Sequence, residues 1–152
     1  MPGVDDVSEA ILSLDTAVYA DGDLLCQAVE LVDVCAPNFP AFIVSATLLD
    51  YDDQAGDLTL VFFRANPGHL GAINAAMAIN NAQAEMVLCV ISIATADYTD
   101  LGAQCIGQPE FYPRKVRALD GSSSLWVAAQ AGAASTYASG RMLLKVGVVR
   151  VE

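Results

Sequence analysis

The chain has 152 residues, 55% of them hydrophobic and only 16% charged, with a net charge of −11. A chain of this length makes one domain that buries roughly 70% of its unfolded surface, so it needs no disulfide or metal staple. The acidic balance excludes a phosphate-tracking groove, which needs a basic footprint, and so excludes direct nucleic-acid binding.

The charge is unevenly spread. Up to Phe63 there are twelve carboxylates and no Lys or Arg, and from Arg64 onward there are seven basic residues and six acidic. An acidic face of this kind steers a basic partner surface. Low charge with high apolar content also points to surface that a partner covers. The longest apolar run, Met86–Ala96, is short of the roughly 20 residues a membrane helix needs, and the acidic start is unlike a signal peptide. Cys26, Cys35, Cys89 and Cys105 have no zinc spacing and no C-x-x-C pair. They are expected as reduced, buried thiols made in a reducing cytoplasm.

Residues 1–10 lack periodic apolar positions and are read as a flexible acidic arm, leaving 11–152 as a single domain. A loosely alternating strand is expected over Ile11–Val18, followed by an Asp-Gly turn at Asp21 and Gly22. Leu24–Val34 alternates as a second strand, and Pro37 and Pro40 bracket a loop.

Ala41–Leu49 and Leu58–Phe63 read as the two strands of a central β-hairpin. Leu58, Leu60 and Phe62 share one face of the second strand while Val61 and Phe63 share the other, so that strand should be covered on both sides. The aspartates Asp50, Asp52, Asp53 and Asp57 between the two runs read as an exposed, solvated loop. Their spacing opens like a calcium loop, but the sixth position is Ala55 and the twelfth Val61, so no metal is expected.

Leu70–Ile79 reads as partly irregular. Asn80 and Gln83 form a capping-box pattern before a two-turn helix over Ala82–Leu88. Strands follow at Val90–Ala94, Ala103–Gln108, Arg114–Leu119, Leu125–Ala131 and Arg141–Val151, with turns at Asp97–Gly102 and Asp120–Ser124. Gly132–Gly140 reads as a surface loop carrying Tyr137. The whole predicts an all-β domain, a β-sandwich or jelly-roll-like barrel of seven to nine strands with one or two short helices.

Chemistry is scarce. His69 is the only histidine and sits beside a Pro-Gly turn. No nucleophile elbow, phosphate loop or metal-spaced His pair occurs. Neither catalysis nor a cofactor is expected.

The order of several stretches resembles tailed-phage capsid decoration proteins, also called cement or head-stabilising proteins. These stretches are Phe42–Phe63 with Ala65–Pro67, then Ile73–Glu85, Ile91–Gly102 and Ser124–Val148. The resemblance spans about Asp15 to Gly147 and leaves out the acidic start and Phe111–Arg114. It implies a β-rich virion protein on the capsid exterior that stabilises the shell. The major capsid protein would be its partner, and self-association, as a homotrimer rather than a dimer, would accompany it. Candidate contact residues are Val4, Asp5, Asp6 and Val7 in the arm, Arg114, Lys115 and Arg117 in the basic strand, and Tyr137. Two other readings stand beside this one. The first is a tail- or fibre-associated virion sandwich. The second is a sandwich binding carbohydrate or another small ligand on Trp126, Tyr98 or Tyr137.

Overall fold

Strong β-formers in short runs become twelve strands in the computed structural model, which describes residues 4–151. They are β1 (Val4–Ser13), β2 (Val18–Tyr19), β3 (Leu24–Leu31), β4 (Ala41–Asp50), β5 (Leu58–Phe63) and β6 (Val87–Ile93). After them come β7 (Tyr98–Asp100), β8 (Cys105–Gly107), β9 (Arg114–Val116), β10 (Leu125–Ala131), β11 (Ser135–Thr136) and β12 (Arg141–Arg150). The larger sheet runs β1-β12-β4-β8-β7, with β9 also on β4, and the smaller runs β3-β10-β5-β6. β2 and β11 pair by themselves. All the pairings between strands are antiparallel.

The two large sheets stack as a β-sandwich. Ile43, Leu48, Leu144, Val146 and Val148 of one sheet meet Leu60, Phe62, Leu125 and Val127 of the other in one core. Alternation decides which residues enter it, because successive strand side chains point to opposite faces. β5 has the two-sided burial expected of it. Leu58, Leu60 and Phe62 enter the main core, and Val61 and Phe63 enter a second cluster on the far side of the smaller sheet.

That second cluster lies under residues 64–86, which lay Leu70, Ile73, Met77, Ile79 and Met86 over the smaller sheet. Polar groups hold this cover down. The Gln27 side chain donates to the Gly71 carbonyl at 2.6 Å and accepts from the Leu70 N–H at 3.0 Å. The helix α1 (Asn81–Ala84) carries the Asn80–Gln83 capping box, and its buried Gln83 also donates to the Pro67 and His69 carbonyls. The helix is shorter than expected because β6 starts at Val87.

Three expectations are corrected. β4 and β5 do not form a hairpin: β4 pairs with β12, β8 and β9, and β5 with β10 and β6, so residues 51–57 cross from one sheet to the other. The crossing loop is no solvated tip. Asp50 is fully buried and accepts from the backbone N–H groups of Asp52, Gln54 and Ala55 at 2.8–3.0 Å. Asp52 accepts from the Ser139 hydroxyl at 2.6 Å, and Asp57 from the Thr95 N–H at 2.6 Å.

The arm is corrected as well. Val4–Ala10 is strand, paired in register with Lys145 at Glu9 and with Arg150 at Val4, while Met1–Gly3 lie outside the described residues. Its inward positions are small or aliphatic (Ser8, Ala10, Leu12), which is enough to seat an edge strand despite the acidic outward ones. Tyr137 is the third correction. It is 1% exposed, and its ring lies against Tyr19 with centroids 6.0 Å apart.

Asp50→Asn should cost about 2–4 kcal/mol in a urea titration, since an amide N–H₂ would face backbone N–H donors in a buried site. Asp53→Asn, at an exposed left-handed position that Asn tolerates, should stay within about 0.5 kcal/mol. Phe62→Ala should cost about 3–5 kcal/mol through the cavity it leaves.

Candidate functional site

The two sheets differ in what covers their outer faces. Residues 64–86 cover the smaller sheet. Among the described residues no such layer lies over the outer face of the larger sheet, and the register there builds an apolar row across four strands. Ile11 of β1 stands opposite Leu143 of β12, Leu143 opposite Leu49 of β4, and Leu49 opposite Ile106 of β8. Ile11 is 49% exposed and the other three are half-buried by one another.

The next outward rung is polar. Glu9 meets Lys145, with carboxylate and ammonium 3.7 Å apart, and Lys145 lies opposite Thr47. Beyond it the face dips. Gly147 lies between Val7 and Ser45, and a Cβ there would run into the Ser45 hydroxyl unless that side chain turned away. A bulge at this point turns Val44 outward, 41% exposed beside Val7 at 57%. The result is a shallow depression of about 490 Å³ bounded by Asp6, Val7, Val44 and Val148. An aliphatic ridge beside an apolar hollow can receive the side chains of a partner surface.

The residues singled out from sequence divide between this face and elsewhere. Val7 lies on it. Val4 and Asp5 begin β1, opposite Arg150 and Val149, and their side chains fall outside the described part of the structure. Asp6 is engaged within the chain, accepting from Arg150 at 2.9 Å, while Arg150 also donates to the Asp33 carbonyl at 3.0 Å. Lys115 continues the outward rung of Val149 and Phe42, whereas Arg114 lies near Cys89, toward β6. Arg117 pairs with Asp120 at 3.0 Å. Tyr137 is buried within the chain. The row Ile11, Leu143, Leu49 and Ile106 escaped the sequence reading. Its one signal is that β1, β12 and β4 place aliphatic residues on both faces.

The fold also sorts charge by position rather than by half of the sequence. Asp15, Asp21, Asp23, Asp52, Asp53, Asp57, Asp97 and Asp100 gather at the end of the sandwich where β4 finishes. Arg64, Arg114, Lys115, Arg117 and Arg150 lie at the opposite end, where Asp6 and Asp120 pair with Arg150 and Arg117. Of the aspartates gathered where β4 finishes, all except Asp21 and Asp53 accept from backbone N–H groups among the described residues. Among the described residues no group of three or more His, Cys, Asp or Glu side chains is placed to hold a metal ion. His69 is exposed, and its only side-chain hydrogen bond among the described residues is a 3.4 Å one from the Gly71 N–H. Trp126 is partly buried beneath the cover and Tyr98 donates to the Gly56 carbonyl at 2.9 Å, so neither offers a flat exposed ring to a sugar.

No protein-family model matches the chain, and no curated protein matches it. Among solved structures, a chain from the three-dimensional structure of maize chlorotic mottle virus is 12% identical, covering 94% of this chain and 92% of its own, with a TM-score of 0.26. A chain of desmodium yellow mottle tymovirus is 10% identical, covering 98% of this chain and 81% of its own, with a TM-score of 0.29. These scores are too low to identify a fold.

Cys26, Cys35 and Cys105 are buried and Cys89 partly so, all four as free thiols. Burial pushes Cys26 and Cys105 up to about 12 and Cys89 up to about 11, and it also raises Cys35. A thiol raised in the folded state ionises first in the unfolded one. Its stabilising effect is therefore complete below about pH 9 and is lost as pH climbs toward 12. Urea titrations in reductant should show stability falling through that window, with the raised Tyr98 and Tyr137 phenols adding to the fall above about pH 10. A flat profile would contradict the burial of these groups. At neutral pH, Cys89 should react with thiol reagents before the other three.

Proposed function

We propose that the protein is a structural component of a virion, attached to the outside of a tailed-phage capsid, where it stabilises the shell without catalysis. The observation that carries this reading is the uncovered outer face of the larger sheet, with its four-residue aliphatic row beside the Gly147 depression. An apolar face of this kind serves binding, and burying it against a subunit lattice would supply the attraction. The resemblance of the ordered segments from Phe42 to Val148 to decoration proteins supplies the partner, the major capsid protein. Repetition over many equivalent sites would then convert a modest contact into substantial shell stability.

The anchor in this reading is the body of the sheet rather than a mobile arm. Asp6 and Glu9 already face Arg150 and Lys145 of the neighbouring strand. Removing residues 1–9 would therefore delete most of β1 instead of an appendage. A carbohydrate-binding role is disfavoured by the burial of Tyr137 and the covered position of Trp126.

The test strips purified particles of this protein and adds back either the wild type or an Ile11→Lys/Leu143→Lys variant. Because Leu143 is half-buried, a thermal melt should first report that the variant is folded. The wild type should rebind and raise the temperature at which the shell opens, because a ligand preferring the intact state stabilises it by mass action. The variant should fail to rebind. A wild type that does not rebind, or a variant that rebinds equally well, would refute the proposal.

A further inference from the structure

β8 and β9 both run antiparallel along the same side of β4, on Leu48–Asp50 and Ala41–Ile43 respectively. Between them four residues of β4, Val44–Thr47, face six residues of chain, Gln108–Pro113. The surplus has to loop away from the sheet, and Pro109 and Pro113 cannot donate to the ladder in any case. Phe111 tucks its ring against the main core and so anchors the excursion. Tyr112 is left projecting, 89% exposed, the most exposed large hydrophobic side chain among the described residues. Arg114 stands two residues on, exposed and in no ion pair among the described residues, and shares a hollow with Tyr112 and Glu110. Tyr and Arg are the side chains that most often carry binding energy at protein interfaces.

The opposite lateral edge of the sandwich is formed by β1 lying over β3. It has the complementary shape and charge. A groove of about 450 Å³ opens there, walled by the apolar Leu14, Val29 and Ile73 and bordered by Asp15. β1 and β3 contain no Lys or Arg; their Asp6 and Glu9 are paired with Arg150 and Lys145 of β12, while Glu30 and the neighbouring Asp15 are in no ion pair among the described residues. One edge thus presents an aromatic knob beside a free guanidinium, and the other an apolar socket beside carboxylates.

We propose that copies of this chain associate side by side, Tyr112 of one entering the Leu14–Val29–Ile73 groove of the next and its Arg114 facing the acidic edge. Because the two surfaces differ, the contact is head to tail, and repeating it gives a closed ring if the rotation closes. The occupant is a second copy because the chain itself carries both halves of the match. The contact deepens the assembly reading above but uses other residues, leaving the outer sheet face free. It is therefore measurable on purified protein alone.

The experiment is sedimentation velocity on the purified protein over a concentration and salt series. The wild type should form oligomers that weaken as salt rises, since exposed charge pairs are screened. Tyr112→Ala/Arg114→Glu, which alters only exposed side chains, should weaken association about tenfold or more. Val29→Arg, which fills the socket and repels Arg114, should do the same from the other side. Mixed in equal amounts, these two variants each retain one intact surface and should form heterodimers that go no further. Thermal melts of each variant report that it is folded. The proposal is overturned by a wild type that stays monomeric, by either folded variant assembling like the wild type, or by a mixture that yields monomers only. The Ile11→Lys/Leu143→Lys variant should still self-associate, so loss of capsid rebinding and loss of this contact are separable.

Discussion

The architecture depends on the buried carboxylate of Asp50. β4 ends there, and the chain must leave one sheet and enter the other within seven residues. Such a crossing strands backbone N–H groups away from water, each costly if unpaired. Asp50 accepts three of them, and the Cys105 thiol approaches the same carboxylate at 3.6 Å. The path also needs left-handed backbone at Asp53 and Ala55 and a bare Gly56, where any Cβ would strike Ser135 and Tyr137. With the corner fixed, β4 and β5 can each stand inside a different sheet and share one core.

Local chemistry was legible in the sequence wherever a single segment determined the outcome. The two-sided burial of Leu58–Phe63, the Asn80–Gln83 capping box and the span of Leu125–Ala131 all follow from patterns a few residues long. Pairing was not legible. Two apolar runs joined by a polar stretch are equally compatible with a hairpin and with a sandwich corner, and nothing within Ala41–Phe63 distinguishes them. The deciding feature is that β4 has β12 on one side and β8 and β9 on the other, which leaves no edge for β5. Tyr137 was misplaced for a related reason. Its small neighbours suggest a surface loop, but they are small because the loop packs closely over Tyr19 and Gly56.

The candidate face was hidden by apolar abundance. In β1 the outward Ile11 sits between the inward Ala10 and Leu12, and no local rule separates a residue reserved for a partner from one reserved for the core. Only the register, which aligns Ile11 with Leu143, Leu49 and Ile106, turns four scattered aliphatics into one row. The covered sheet makes the contrast plain. There the equivalent outward residues, Val61, Phe63 and Ala128, are sealed by the chain's own residues 64–86, at the expense of a long irregular segment tied down by Gln27 and Gln83.

The pairing of β1 with β12 bears on how the chain is made. Val4 finds its partner at residue 150 and Ser13 at residue 141, so β1 is synthesised long before the strand on which it docks. Until then β12, the strand between β1 and β4, is missing, and β4 has an open flank. Closing so long a loop is slow, and exposed strand edges are the usual route to misassembly. The carboxylates of Asp5, Asp6 and Glu9 have a use in that interval, since a strand bearing like charges pairs poorly with another copy of itself. The acidity of this segment, which made it look like a loose arm, would then protect the nascent protein until β12 arrives.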